Sequence, residues 1–144
     1  MALRAYRVCR AVYARPDGEG ARRAGGRWNS PGRAVAYMAE SISLCVLENL
    51  VHMEKPDFPE KYVIVAALIP ESVRVLDVAE FRRPRETEPE TGDRWIDSHE
   101  SAVLKVNSAV IPREHLYLLN PNHPEFDQIQ IESIEPFTFD ERLF

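Results

Sequence analysis

Residues 34–51, AVAYMAESISLCVLENLV, carry the reading that decides the fold. Residues 34–39 gather small and β-favouring side chains around Tyr37 and read as a short strand. Ser41 or Ser43 then offers an N-cap for a helix running to about Met53, with Lys55-Pro56 as its stop. Downstream, residues 62–69 (YVIVAALI) form a nearly continuous apolar strand and residues 73–78 a second. Residues 82–93 are polar and proline-bearing and read as a surface loop, and residues 94–106 as a helix. Residues 108–111, 116–119 and 129–134 read as further short strands. Upstream, residues 3–13 alternate, with Tyr6 and Val8 facing one way and Arg7, Cys9 and Ala11 the other. The loop over residues 15–32 holds five of the six glycines. Strands and helices mix without a βαβ rhythm, so the expectation is one α+β domain over residues 1–144, built of short mixed strands and a few helices.

Composition narrows the class of protein. Hydrophobic residues make up 44% and charged residues 28% of 144, the balance of a globular chain with a core of useful size. No apolar run approaches the roughly 20 residues that span a bilayer. The first ten residues alternate charge with apolar side chains and contain no signal-peptide core. Cys9 and Cys45 each sit in an apolar stretch and are too few for a disulfide framework, which points to a reduced cytoplasmic protein. The cysteines and the four histidines show no metal-ligand spacing, so no metal is expected.

The net charge of −5 argues against wrapping nucleic acid by bulk attraction, yet the charge is lopsided. The first 33 residues hold Arg4, Arg7, Arg10, Arg15, Arg22, Arg23, Arg27 and Arg33 against Asp17 and Glu19. Arginine without lysine favours bidentate recognition of phosphate or carboxylate, and a solvated basic face is the simpler alternative.

Three features call for more than a structural role. In GGRWNSPGR, residues 25–33, Gly25 and Gly26 allow positive φ and close backbone approach. Arg27 and Asn29 add directional donors, and Trp28 a broad apolar plate; a glycine turn with a tryptophan plugging the core is the other reading. Glu48 is second. On a helix its neighbours are Leu44, Cys45, Val51 and His52, three of them apolar, and an unpaired carboxylate there needs an arginine, a donor or a ligand. An ion pair with Arg7 or Arg27 would satisfy it structurally. The third is VNSAVIP, residues 106–112, followed by NPNHPEF, residues 120–126, in which Ser108 opens an apolar strand and His123 packs between prolines. No Ser–His–Asp arrangement can be drawn, so Ser108 is a poor candidate for a hydrolytic nucleophile.

Taken together, Tyr6-Arg7, GGRWNSPGR, AVAYMAES, LCVLENL, VNSAVIP and NPNHPEF resemble the RES-domain family in order and over nearly the whole chain, from Tyr6 to Phe126. The Arg, Glu and Ser of that name map to Arg7 or Arg27, Glu48 and Ser108. One departure is Asn107, where the family commonly has proline before the serine. The resemblance implies a fold similar to ADP-ribosyltransferase toxins and a toxin that consumes NAD⁺ as substrate by hydrolysis or phosphorolysis. Its nearest rival reading is a mono-ADP-ribosyltransferase acting on a protein. A non-catalytic binding module is the reading from a different class. The resemblance also implies an Xre-like helix-turn-helix antitoxin and a higher-order complex, with no nucleic acid or membrane bound directly.

On that footing Glu48, Arg27, Tyr37 and Ser108 are the expected catalytic set, and Arg7, Gly26, Arg27, Asn29 and Tyr37 the expected NAD⁺ contacts. Glu48 would stabilise the cationic ribose, Arg7 and Arg27 would hold the pyrophosphate, Tyr37 would stack on nicotinamide, and the Gly26 backbone would meet the carboxamide. Tyr37 as a core-facing strand aromatic is the alternative. Ser108 would position the ribose or Glu48, and Arg15 would receive inorganic phosphate if that is the attacking group. GEGARRAGG, residues 18–26, lacks the flanking strand and helix of a dinucleotide fingerprint, which disfavours hydride transfer.

Overall fold

The computed structural model describes residues 1–53 and 61–144, so the expected stop at Lys55-Pro56 lies outside the described residues. Strand β1 spans Leu3–Arg10, helix α1 Glu19–Ala24, strand β2 Ala36–Ala39 and helix α2 Ile42–Leu50. Then come β3 (Tyr62–Ile69), β4 (Val75–Asp77), α3 (Val78–Phe81), α4 (Glu88–Ser98), β5 (Val103–Asn107), β6 (His115–Leu119) and β7 (Gln130–Phe137). One seven-stranded sheet runs in the order β4-β5-β6-β2-β1-β3-β7, with β4 and β5 parallel and the other neighbours antiparallel. The α+β expectation holds. No helix among the described residues is long and apolar enough to cross a membrane.

The two faces of the sheet carry separate cores. On one, Val8, Leu44, Trp95, Leu104, Val106 and Leu118 pack beneath the helices; on the other, Ala5, Met38, Val65, Val103, Tyr117 and Leu119 pack against Phe126 and Ile129. The alternation expected over residues 3–13 holds within β1, with Val8 in the first core and Ala5 in the second, but the strand ends at Arg10 and Ala11–Tyr13 turn in a 3₁₀ helix. Its pairing is unequal on its two sides. β1 pairs with β3 along its whole length, from Leu3 opposite Ile69 to Arg10 opposite Tyr62, but with β2 only at Tyr6 opposite Ala39. Beyond that pair the sheet parts.

Helix α2 begins where its sequence says it should: the Ser41 hydroxyl accepts the Leu44 N–H at 3.1 Å. It ends at Leu50, one turn short of Met53. Helix α4 corrects the expected loop at 82–93 and helix at 94–106. Thr87 and Glu90 form a capping box, Pro89 occupies the first turn, and His99 at φ 56° ends the helix. Residues 103–107 therefore form β5, buried on both sides at Val103, Leu104 and Val106. Helix α1 lies in the expected glycine loop, where Glu19 pairs with both Arg22 and Arg23. Residues 108–111 form a turn rather than a strand, closed by Ser108 N–H to the Glu114 carbonyl and Glu114 N–H to the Ile111 carbonyl, each 2.8 Å.

Candidate active site

Where β1 and β2 part, a cleft of about 820 Å³ opens, toward the upper end of the roughly 300–1,000 Å³ typical of small-molecule sites. Because the strands splay, consecutive residues of β1, Tyr6 to Arg10, line it together with Tyr37 and Met38 of β2. Helix α2 supplies Cys45, Glu48 and Asn49, and the glycine-rich segment supplies Gly25, Gly26, Arg27 and Trp28.

Two side chains of α2 fasten it to β1. The Cys45 thiol donates to the Tyr6 carbonyl at 3.0 Å, and the Asn49 amide donates to the Val8 carbonyl at 3.0 Å. Burial pushes the Cys45 thiol up to about 12 and raises that of Cys9, so both stay protonated at neutral pH. Glu48, between these anchors, is half-buried on the cleft wall. The expected apolar trap is corrected here: Leu44 and Cys45 are buried, but Val51 is 57% exposed. Nor does Glu48 pair with an arginine among the described residues. Its partner is the Ser108 hydroxyl, which donates to Oε1 at 2.5 Å. Ser108 Oγ in turn accepts the N–H groups of Val110 at 3.1 Å and Ile111 at 3.0 Å. Both oxygen lone pairs are thereby occupied, and the hydroxyl proton is committed to Glu48. That geometry gives Ser108 the character of a positioning group rather than of a nucleophile.

Residues 26–29 close a tight hairpin in which Gly26 and Asn29 bridge through their backbones. Gly25 sits at φ 75°, as expected of a glycine there. The close approach at Gly26 is to the protein itself, since a Cβ would lie 2.7 Å from Tyr37 Oη and 2.9 Å from Asn29 Oδ1. Tyr37 Oη donates to Asn29 Oδ1 at 2.7 Å and accepts the Trp28 N–H at 2.9 Å. Burial, with a smaller push from Asp93, raises the phenol to about 12. Asn29 is 2% exposed, and its amide group donates to the carbonyls of Ala21, Ser30 and Arg33. It braces the loop and does not line the cleft.

The arginine cluster is largely spoken for. Arg4 pairs with Glu132, Arg22 and Arg23 with Glu19, and Arg33 with Asp97 and Asp93. Arg27 makes a two-pronged contact with Glu88 at 2.8 and 3.1 Å and donates to the Asn107 carbonyl at 2.6 Å. It lines the cleft with its charge already matched, and it ties the hairpin to the residue before Ser108. Arg7 also lines the cleft and has no ion pair among the described residues. Arg15 lies elsewhere, in a smaller hollow of about 200 Å³ with Pro16, Phe126 and Ile129. His123 is a packing residue as expected: its Nδ1 accepts the Glu125 N–H at 2.9 Å, so Nε2 carries the proton toward the His99 carbonyl at 2.9 Å.

Sequence reasoning missed Asn49, His52, Tyr13 and Tyr62 on the cleft wall. Asn49 carried a usable signal, since it stands four residues after Cys45 on the same helical face. Among the described residues no cluster of His, Cys, Asp and Glu could hold a metal ion.

Comparison with known proteins adds relatives. The profile of the RES domain matches residues 4–140. The chain is 35% identical over 140 residues to "Toxin Res" of Pseudomonas putida, covering 93% of this chain and 96% of that protein. It is 33% identical over 139 residues to the "Prs ADP-ribosylating toxin" of Sphingobium sp. (strain YBL2), covering 88% and 85% respectively. Among solved structures, the M. tuberculosis MbcT–MbcA toxin–antitoxin complex matches with a TM-score of 0.77 at 20% identity, covering 96% of this chain and 85% of the other, a likeness of fold.

Proposed function

The chain belongs to the RES domain family, and from that premise we propose that it is the toxin of a toxin–antitoxin pair whose cleft binds NAD⁺ and breaks the nicotinamide–ribose bond. The observation that carries this reading is the Glu48 carboxylate, half-buried in the cleft wall and held by Ser108. The residues present fit the dinucleotide. The cleft has the volume, Arg7 supplies a cation for the pyrophosphate, and Tyr6, Tyr13, Tyr37 and Tyr62 supply ring faces for the bases.

Nicotinamide in NAD⁺ is a cationic leaving group. It departs with the bonding electron pair and needs no proton, leaving an oxocarbenium-like ribose that water, losing a proton, or inorganic phosphate captures to give ADP-ribose or its phosphate. An anion fixed beside that positive charge lowers the barrier more than it stabilises the ground state. Glu48 is that anion in the proposal, with Ser108 holding one carboxylate oxygen and the other turned to the ribose. Arg7 takes the pyrophosphate, and Tyr37, its hydroxyl tied to the loop, offers its ring to nicotinamide. Arg27, matched by Glu88, contributes by fixing the Asn107–Ser108 backbone.

Purified protein incubated with NAD⁺ tests this by chromatographic measurement of released nicotinamide. Glu48→Gln is expected to lower the rate by about 10²–10³, the size of losing one preorganised charge-stabilising group, with the circular dichroism spectrum unchanged. Release that survives the substitution at full rate refutes the assignment. The relative named an ADP-ribosylating toxin favours a second reading of the same cleft, in which a protein side chain captures the ribose. Radiolabelled NAD⁺ and cell lysate separate the two. A labelled protein band marks transfer, whereas free ADP-ribose or its phosphate marks depletion. Relatives named toxins and a neighbour solved with its antitoxin support an antitoxin partner here, for which an Xre-like helix-turn-helix protein is the proposed type.

A further inference from the structure

The chain has four histidines, and three of them are engaged by the protein. His99 Nδ1 lies 3.2 Å from the Asp97 carbonyl, His115 Nδ1 lies 3.5 Å from Glu40, and His123 uses both ring nitrogens on the backbone. His52 differs. Neither of its ring nitrogens has a hydrogen bond or ion pair among the described residues, and alone of the four it lines the cleft. Its place follows from how α2 is fastened. Cys45 reaches Tyr6 and Asn49 reaches Val8, so the helix runs beside β1 in the same direction. The Val51 N–H bonds the Leu47 carbonyl at 3.3 Å and the His52 N–H that of Asn49 at 3.0 Å, which carries the turn on past Leu50. His52 therefore stands one turn beyond Glu48, away from the Tyr6–Ala39 pair, and it is exposed where Glu48 is half-buried.

Other groups on the cleft wall are poorly placed to take up a proton. The thiols of Cys9 and Cys45 donate to carbonyls and keep their protons through burial. The Tyr37 hydroxyl has its proton on Asn29. Glu48, in the proposed reaction, has to stay anionic beside the ribose cation. We infer that His52 is the general base that takes the proton of the attacking water. The water oxygen bonds to the ribose carbon that nicotinamide has left, and its proton passes to an imidazole nitrogen, which then releases it to solvent. Imidazole is the side chain suited to take and return a proton near neutral pH. Inorganic phosphate and returning nicotinamide need no such help, since each brings an unprotonated atom with a free electron pair. The inference rests on the proposed NAD⁺ reading and adds to it the residue that serves water as acceptor.

The test separates capture by water from formation of the cation. Wild type and His52→Gln are incubated with NAD⁺ and radiolabelled nicotinamide in phosphate-free buffer, and ADP-ribose and labelled NAD⁺ are measured by chromatography. In His52→Gln, ADP-ribose formation is expected to fall about 10- to 100-fold, at or below the lower end of general-base losses because the oxocarbenium ion is itself a strong electrophile. Return of labelled nicotinamide to NAD⁺ is expected to persist at the wild-type rate. Imidazole added to His52→Ala is expected to restore ADP-ribose formation, which the loss of a merely structural side chain would not allow. Hydrolysis and exchange that fall in proportion, hydrolysis that is unchanged, or a failure of imidazole to rescue overturns the inference and leaves the NAD⁺ reading standing. So does a wild type that exchanges nicotinamide but forms no ADP-ribose. If the wild type neither releases nor exchanges nicotinamide, both fall.

Discussion

Replacing Ser108 by alanine removes a hydroxyl with three partners, and the three have different consequences. The bond to Glu48 Oε1 is charge-assisted, and losing one such bond costs about 1.5–3 kcal/mol. If that energy serves to hold the carboxylate against the ribose, nicotinamide release falls by roughly 10- to 150-fold. The other two partners, Val110 N–H and Ile111 N–H, lose their acceptor in a turn that is only partly exposed, so the fold weakens by about 1–2 kcal/mol. Ser108→Thr keeps the hydroxyl and is expected to recover most of both. The decisive assay is a double-mutant cycle. With Glu48 already replaced by glutamine, removal of Ser108 should cost little further activity, because the serine acts through the carboxylate. Rates are measured as initial nicotinamide release at saturating and subsaturating NAD⁺, and stability by urea denaturation. Full additivity of the two substitutions would refute a positioning role and return Ser108 to direct contact with substrate.

Gly92→Ala would drive a Cβ to 1.6 Å from the Trp28 carbonyl, backbone against backbone with nothing flexible to yield, and should destabilise at or beyond the upper end of the roughly 1–3 kcal/mol of overpacking; an unchanged melting temperature contradicts the packing described. Tyr37→Phe strands Asn29 Oδ1 and the Trp28 N–H and should lower stability by about 1–3 kcal/mol. Because burial raises this phenol to about 12 from an ordinary 10, its neutral form stabilises the wild type fully below pH 10, and that contribution is lost as pH rises toward 12. Alkaline denaturation should therefore be shallower in the variant, and identical curves would contradict this. Glu86 titrates in the opposite sense. The Arg94 guanidinium holds its carboxyl down at about 2, so its stabilisation is present above the usual carboxylate value of 4.5 and fades as pH falls toward 2. Glu86→Gln should flatten the acid limb of the melting-temperature profile, and an acid limb as steep as the wild type's would argue against it.

What was legible in the sequence was local. The serine cap, the strand before it and the glutamate four residues from Leu44 are all matters of spacing, and α2 came out within a turn of its expected end. Thr87, Pro89 and Glu90 spell the N-terminus of α4, but the polar, proline-bearing composition of residues 82–93 matches a surface loop equally well. The expected helix then ran on into the apolar residues of β5, across a left-handed His99 that no periodicity marks. The arginines were illegible for a different reason. Arg27 is matched by Glu88 and Arg4 by Glu132, far along the chain, so which guanidinium remains for a ligand is decided only by tertiary structure.

The parting of the sheet explains why the site escapes a reading by alternation. In an unbroken sheet Tyr6 and Val8 would serve one face and Arg7 the other, and Arg7 could not share a pocket with Glu48. Pairing between β1 and β2 stops after Tyr6–Ala39, which leaves carbonyls of β1 without a neighbouring strand. Helix α2 answers at the edge of the break with two side chains, Cys45 to Tyr6 of the last pair and Asn49 to Val8 beyond it. The residues that repair the interrupted sheet are thus one turn of α2, and Glu48 lies between them in sequence and in space. The cleft and the turn of helix that brings Glu48 to its wall are consequences of the same missing strand pairs.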